Sequence, residues 1–211
     1  MKWSQIPLGA LQTNCYIIEN EDKTCLIFDP GSEGKKLIKW LEKRELKPVA
    51  ILLTHAHFDH IGAVDTVRDY YQIPAYVHEE EEGWLTDPGL NGSKYFMMQE
   101  QIKVRKADHI IKKEGMMKVG DYEFSVFETP GHSPGSISFY FENAGFVVSG
   151  DALFKSSIGR TDLPGGNHKQ LIKSIHEKLL FLPEETEVLS GHGPITTVGE
   201  EMDQNPFLNG F

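Results

Sequence analysis

Two halves, each running from strands into helices, predict an α/β protein built as a four-layer αββα sandwich, with two sheets packed face to face and helices outside. Three observations carry that expectation. Apolar runs of strand length alternate with helically spaced apolar residues along the whole chain. The ends of the strands repeatedly deliver histidine or aspartate beside glycine. No linker or low-complexity tract interrupts residues 1–211, so a single domain is expected.

The elements follow in order. Gln12 to Ile18 and Thr24 to Phe28 are β-branched and aromatic runs around the polar turn Asn20-Glu21-Asp22-Lys23, a hairpin signal. Asp29-Pro30-Gly31 ends the second run, and Leu37, Ile38, Leu41 and Leu46 recur at helical spacing up to Pro48. Val49 to Leu53 reads as a buried strand bounded by Pro48. Ile61, Val64 and Val67 mark a helix, and Pro74 to His78 a short strand. Glu79 to Arg105 reads as a loop over the site: its acidic run Glu79–Glu82 suits a solvated helix start, and a helix is expected around Phe96-Met97-Met98. From Ile110 a second β-rich half begins, with strands at Tyr122 to Phe127, Ser136 to Phe141 and Phe146 to Val148. Leu171, Ile175, Leu179 and Leu180 then define an amphipathic helix.

Composition narrows the function classes. A formal charge of −10 disfavours a phosphate-backbone partner, since nucleic-acid binding leans on clustered Lys and Arg. No apolar run is long enough to span a bilayer, and no signal segment opens the chain, so the expectation is a cytoplasmic protein with neither a membrane nor a nucleic acid as partner. The two cysteines, Cys15 and Cys25, read as reduced core residues.

The chemistry concentrates in Thr54-His55-Ala56-His57-Phe58-Asp59-His60, directly after the buried strand. Alternate residues of an extended chain point the same way, so His55 and His57 can grip one ion together. Once the chain turns into a helix, Asp59 and His60 swing towards a second point, as paired sites with ions about 3.5–4 Å apart require. Thr129-Pro130-Gly131-His132, Ser149-Gly150-Asp151 and Leu189-Ser190-Gly191-His192-Gly193 follow later strands. Imidazole and carboxylate without thiolate suit zinc, iron or manganese. Seven ligands suit two divalent ions: His55, His57 and His132 on the first, Asp59, His60 and His192 on the second, Asp151 bridging. Zinc is the first expectation, iron or manganese the alternatives. Taken singly, His132 and His192 could be turn residues and Asp151 a helix cap. The remaining histidines, His78, His109, His168 and His176, read as surface or packing residues.

The series THAHFDH, PGH, SGD and SGHG resembles the metallo-β-lactamase superfamily, specifically its glyoxalase II-like hydrolases. Gly159-Arg160-Thr161-Asp162-Leu163-Pro164-Gly165-Gly166, Gly191 to Pro194 and Asn205 to Leu208 resemble small single-domain bacterial members. The resemblance implies the metallo-β-lactamase fold, the ligand roles just given, and catalysis by Asp59 and Asp151 within that set. It places Asp29 as a residue that orients ligands without holding metal, or an ordinary turn aspartate. It implies hydrolysis of a hydroxyacyl-thiol thioester such as S-lactoylglutathione, by water activated between the two ions. A lactonase and a mononuclear-iron persulfide dioxygenase of the same superfamily are the alternatives. The C-terminal helical domain of glyoxalase II proper is expected to be absent, and Arg160 and Asp162 match its glutathione-contacting Lys and Tyr only loosely. Arg160 is expected to hold a substrate carboxylate or to brace the glycine-rich loop through Asp162. Drug hydrolysis is disfavoured, because Asp151 stands where the major lactamase class has a cysteine.

Overall fold

β-Branched runs joined by tight polar turns dictate a meander at the start of the chain. The computed structural model, which describes residues 1–96 and 101–208, divides into two units, Met1–Lys112 and Lys113–Phe211. In the first, β1 (Lys2–Leu8), β2 (Thr13–Glu19) and β3 (Thr24–Phe28) pair antiparallel, Ile17 opposite Ile27. Asp22 closes the expected hairpin turn, its Oδ1 accepting from Thr24 N at 3.0 Å and Thr24 Oγ1 at 2.7 Å. Helix α1 (Gly34–Glu42) buries Leu37, Ile38 and Leu41. It stops short of Leu46 because Glu45 takes a left-handed φ of 57°.

Strand β4 (Lys47–Leu52) runs parallel to β3. Pro48 lies inside it rather than before it: it faces Cys25 where the register slips, and a residue without an N–H is tolerated at such an irregularity. The helix expected after the His-rich loop is two pieces, α2 (Phe58–Ile61) and α3 (Val64–Tyr71). β5 (Ala75–His78) and β6 (His109–Ile111) complete a mixed sheet ordered β1-β2-β3-β4-β5-β6, parallel from β3 onward. Ile110 therefore closes the first sheet instead of opening the second half.

Between those two strands lie a 3-10 helix, Glu79–Leu85, and α4 (Ser93–Phe96). The segment is no plain loop, since Trp84, Leu85, Asn91 and Ser93 are buried. The acidic run is only partly solvated: Glu79 and Glu80 are exposed, but Glu81 is fully buried. Met97 and Met98 of the expected helix lie outside the described residues.

In the second unit, β7 (Gly115–Val119), β8 (Tyr122–Glu128), β9 (Ile137–Phe141) and β10 (Phe146–Gly150) pair antiparallel in turn. A short hairpin follows, β11 (Leu153–Phe154) with β12 (Ser157–Ile158). Helix α5 (His168–Ser174) continues as a π-turn over Ile175–Leu179, together burying Leu171, Ile175 and Leu179. β13 (Glu187–Ser190) returns parallel to β10, and β14 (Thr196–Thr197) leads into α6 (Val198–Gln204). This sheet is ordered β14-β13-β10-β9-β8-β7. Cys15 and Cys25 are free and buried; burial pushes the Cys25 thiol up to about 12 and Cys15 well above the ordinary range, so both are inert. Among the described residues no helix is long and apolar enough to cross a membrane.

Candidate metal centre

In the first unit the ligand-bearing loop begins where β4 stops pairing. Asp29, just past β3, adopts a φ of 46° and is 1% exposed. Its Oδ1 accepts from Thr54 N at 2.8 Å, and its Oδ2 from Thr54 Oγ1 at 2.6 Å. The same Oδ2 lies 3.0 Å from His60 Nδ1. An ionised carboxylate can only accept, so the proton of His60 sits on Nδ1 and its Nε2 presents a lone pair. The Thr54 hydroxyl spends its proton on Asp29 and therefore accepts from His55 Nδ1, 3.0 Å away, which fixes Nε2 as the ligand atom of His55 as well. One aspartate thus sets the tautomer of two imidazoles.

Asp29, His55 and His60 offer ligand atoms within 4.8 Å of one another. Chemically they are not equivalent: the Asp29 oxygens are taken up by Thr54 and Nδ1 of His60, so Asp29 is placed to orient the rings and the histidines are the better donors for an ion. The buried rings of His55 and His57 lie edge to face at 4.8 Å, those of His55 and His60 at 4.1 Å. Asp59 Oδ2 accepts from Thr13 Oγ1 at 2.8 Å and lies 3.5 Å from His60 Nε2.

The second unit carries the other candidates, each beyond a different strand. His132 follows β8, Asp151 follows β10 and His192 follows β13, so β10 and its neighbour β13 deliver two of them side by side. His132 Nδ1 donates to the Arg160 carbonyl at 2.8 Å, which again leaves Nε2 as ligand atom. Asp151 Oδ2 lies 3.5 Å from Nε2 of His132 and 3.6 Å from Nε2 of His192. Asp151 caps no helix, since Leu153 and Phe154 are strand. The turns are tight. A Cβ at Gly131, whose φ is 134°, would sit 2.3 Å from Leu171 N, and one at Gly159 would sit 1.9 Å from the Asp151 carbonyl oxygen.

These spacings test whether the donors suit a metal. Two ligands each about 2.1 Å from one ion, at near-tetrahedral angles, stand about 3.4 Å apart. The Asp59–His60, Asp151–His132 and Asp151–His192 separations, 3.5, 3.5 and 3.6 Å, match that and exceed a good hydrogen bond. Neutral imidazoles with fixed Nδ1 protons beside carboxylates are the donor set of a divalent transition metal. His109, His168 and His176 are exposed, and His78 is buried at the end of β5.

Arg160 meets His132 through its backbone carbonyl. Its side chain closes a two-pronged contact with Asp162, Nε to Oδ1 at 2.7 Å and Nη2 to Oδ2 at 2.8 Å, and both side chains are more than half exposed. That hydrogen-bonded guanidinium holds the Asp162 carboxyl down to about 2. Glu81 was legible in the sequence only as one of four acidic residues; its burial against the ligand loop, with Oε2 accepting from Ala56 N at 3.0 Å, had no signal of its own.

The comparisons with known proteins agree on the family. The model of the metallo-beta-lactamase superfamily matches residues 8–192. "Probable metallo-hydrolase YqgX" of Bacillus subtilis is 54% identical over 211 residues, all of this chain and 99% of the relative. "Hydroxyacylglutathione hydrolase GloC" of Haemophilus influenzae is 36% identical over 205 residues, 97% of this chain and 96% of the relative. Among solved structures, the BLEG-1 B3 metallo-beta-lactamase superimposes with a TM-score of 0.97 at 56% identity, covering 99% of this chain and 100% of that one. TTHA1623 in a di-iron-bound form gives 0.86 at 40% identity, covering 97% and 100%.

Proposed function

The chain belongs to the metallo-β-lactamase superfamily, has its fold and its metal-dependent hydrolase character, and from that premise we propose that it hydrolyses a hydroxyacyl-thiol thioester of the S-lactoylglutathione kind. In this reading His55, His57 and His132 hold one divalent ion, Asp59, His60 and His192 a second, and Asp151 is shared. Bound there, two such ions would activate water at neutral pH and polarise the acyl carbonyl. The rest falls to the protein. Asp29 and Thr54 keep the Nδ1 protons in place so that neutral imidazoles face inward. Asp59, steadied by the Thr13 hydroxyl, is the carboxylate that takes the proton of the attacking water. Water adds to the acyl carbon, the C–S bond breaks, and the thiol leaves with a proton, so no covalent protein nucleophile is needed.

The observation that carries the thioester assignment is the GloC relative, aligned over 96% of its own length. A relative of matching length bears the description hydroxyacylglutathione hydrolase, so an appended helical domain is not required for that substrate class. Zinc is the metal we propose, with iron the alternative that the di-iron form of TTHA1623 supports.

One observation favours a second reading. A structure 56% identical over nearly the whole chain is described as a B3 metallo-beta-lactamase, so β-lactam hydrolysis stands beside the thioester reading even though the sequence alone disfavours it. A panel separates them: S-lactoylglutathione, an uncharged thioester, a lactone, a cephalosporin, and oxygen uptake with glutathione persulfide, each with zinc- and iron-loaded protein. Thioester turnover exceeding the rest by orders of magnitude in kcat/KM is expected. Turnover of the cephalosporin or of the persulfide without thioester hydrolysis would overturn it.

A further inference from the structure

We infer that Glu81 is a positioning residue of the metal centre, setting the backbone on which His55 and His57 are aimed. This rests on the reading that those two histidines hold a metal. Strand β4 loses its ladder after Leu53, whose N–H reaches the Tyr76 carbonyl at 3.1 Å. Beyond it the chain must stay extended for His55 and His57 to point the same way, yet it has left the sheet that would hold it so. Three acceptors take over at alternate residues. Thr54 N donates to Asp29 Oδ1 at 2.8 Å, Ala56 N to Glu81 Oε2 at 3.0 Å, and Phe58 N to the Asn91 carbonyl at 3.0 Å. The two ligands stand between these tethers, and Glu81 holds the His55–Ala56 amide that lies between them.

The tether is rigid at its own end. Glu81 is fully buried on the 3-10 helix that follows β5, and the same helix sets the Trp84 ring 5.5 Å from the ring of His57. Ala56 is also fully buried, so no water replaces a lost acceptor. A carboxylate makes the stronger acceptor for a backbone N–H in such a place. Loss of the tether would let Ala56 rotate and separate the two imidazoles, which a metal reads as poorer ligand geometry even when every ligand is present.

Two variants isolate that role. Glu81→Gln keeps an acceptor at the same reach, whereas Glu81→Met keeps the volume and removes the acceptor. Zinc affinity by competition with a chromogenic chelator, the visible absorption of the cobalt(II)-loaded protein and the melting point of the metal-free protein are measured for each. Glu81→Met should bind zinc about 10–100-fold more weakly and shift the cobalt bands, with Glu81→Gln within a few-fold of wild type. A Glu81→Met protein that binds zinc like wild type, with unchanged cobalt bands, overturns the inference whatever its melting point. So does a Glu81→Gln protein as weak as Glu81→Met. Wild-type protein that takes up no zinc or cobalt would instead sink the metal reading beneath it.

Discussion

Asp29 shows how much a single buried side chain can decide. Its two oxygens serve the Thr54 amide, the Thr54 hydroxyl and His60 Nδ1, so one carboxylate locks two tautomers and the start of the ligand loop. Asp29→Asn should weaken zinc binding about 10–100-fold, the usual cost of removing such a partner. Asp151→Asn should cost more, because a shared carboxylate balances the charge of two cations. Chelator titration with kcat/KM for both variants checks this, and equal losses would remove Asp151 from its bridging place. Arg160 separates two roles just as directly. Its exposed side chain pairs with Asp162, the contact that a brace would use. If it also holds a substrate carboxylate, Arg160→Ala should raise KM for a glutathione thioester by a transition-independent loss of about 1.5–3 kcal/mol while sparing an uncharged one. The same variant should let the Asp162 carboxyl climb from about 2 towards the ordinary range, which a carboxyl NMR titration reads. The sign is that of a depressed acid: the pair is intact above the ordinary carboxylate pKa and lost as pH falls through about 2.

At the scale of elements, the turns after the strands are built by close approach rather than by flexibility. The His132 turn exists because Gly131 lets α5 come within contact: a Cβ there would meet Leu171 N at 2.3 Å, which is backbone and cannot step aside. Gly131→Ala should therefore cost at least about 3 kcal/mol, overpacking plus a strained φ, and lower the melting point by roughly 10 °C. Gly145→Ala is the matched control. Its φ is 71°, but a Cβ meets nothing within 4 Å, so it should cost only about 1 kcal/mol. Thermal unfolding of the two metal-free variants checks the contrast; similar losses would mean that the Leu171 contact is unimportant. The central strands and the helices α1, α3 and α5 are plain from periodicity, Thr24–Phe28 to the residue, whereas β7, the β11–β12 hairpin, β14 and α6 carry no such signal. β1 is equally hard to read, since an edge strand with Pro7 near its end carries little pattern. The split of the helix after the His-rich loop into α2 and α3 had no sequence mark beyond Gly62.

For the whole molecule the expectation is two metal ions per chain. Protein purified without chelator should approach two equivalents by elemental analysis, and Asp59→Ala or His192→Ala should bring it towards one. Stripping the metal should lower the melting point, because ligand binding to the native state alone stabilises it, by about 2.7 kcal/mol at a hundredfold excess over Kd. Saturation at one ion that neither substitution alters would refute the paired site.

What the sequence by itself determined is the chemistry and its address. Periodicity places buried strands, glycine and proline mark their ends, and metal-capable residues at those ends point to a metal centre, which the family resemblance makes a hydrolytic one, because all three signals are local and survive without knowing what packs on what. Only the tertiary structure decided how the buried acidic residues are paired around that loop. Asp29 reaches Thr54 and His60 across 25 and 31 residues of chain, and Glu81 reaches Ala56 across 25. In the sequence Glu81 cannot be told from Glu79, Glu80 and Glu82, since what distinguishes it is a burial set by the 3-10 helix after β5, and such long-range pairing is a property of the packed chain rather than of any window along it.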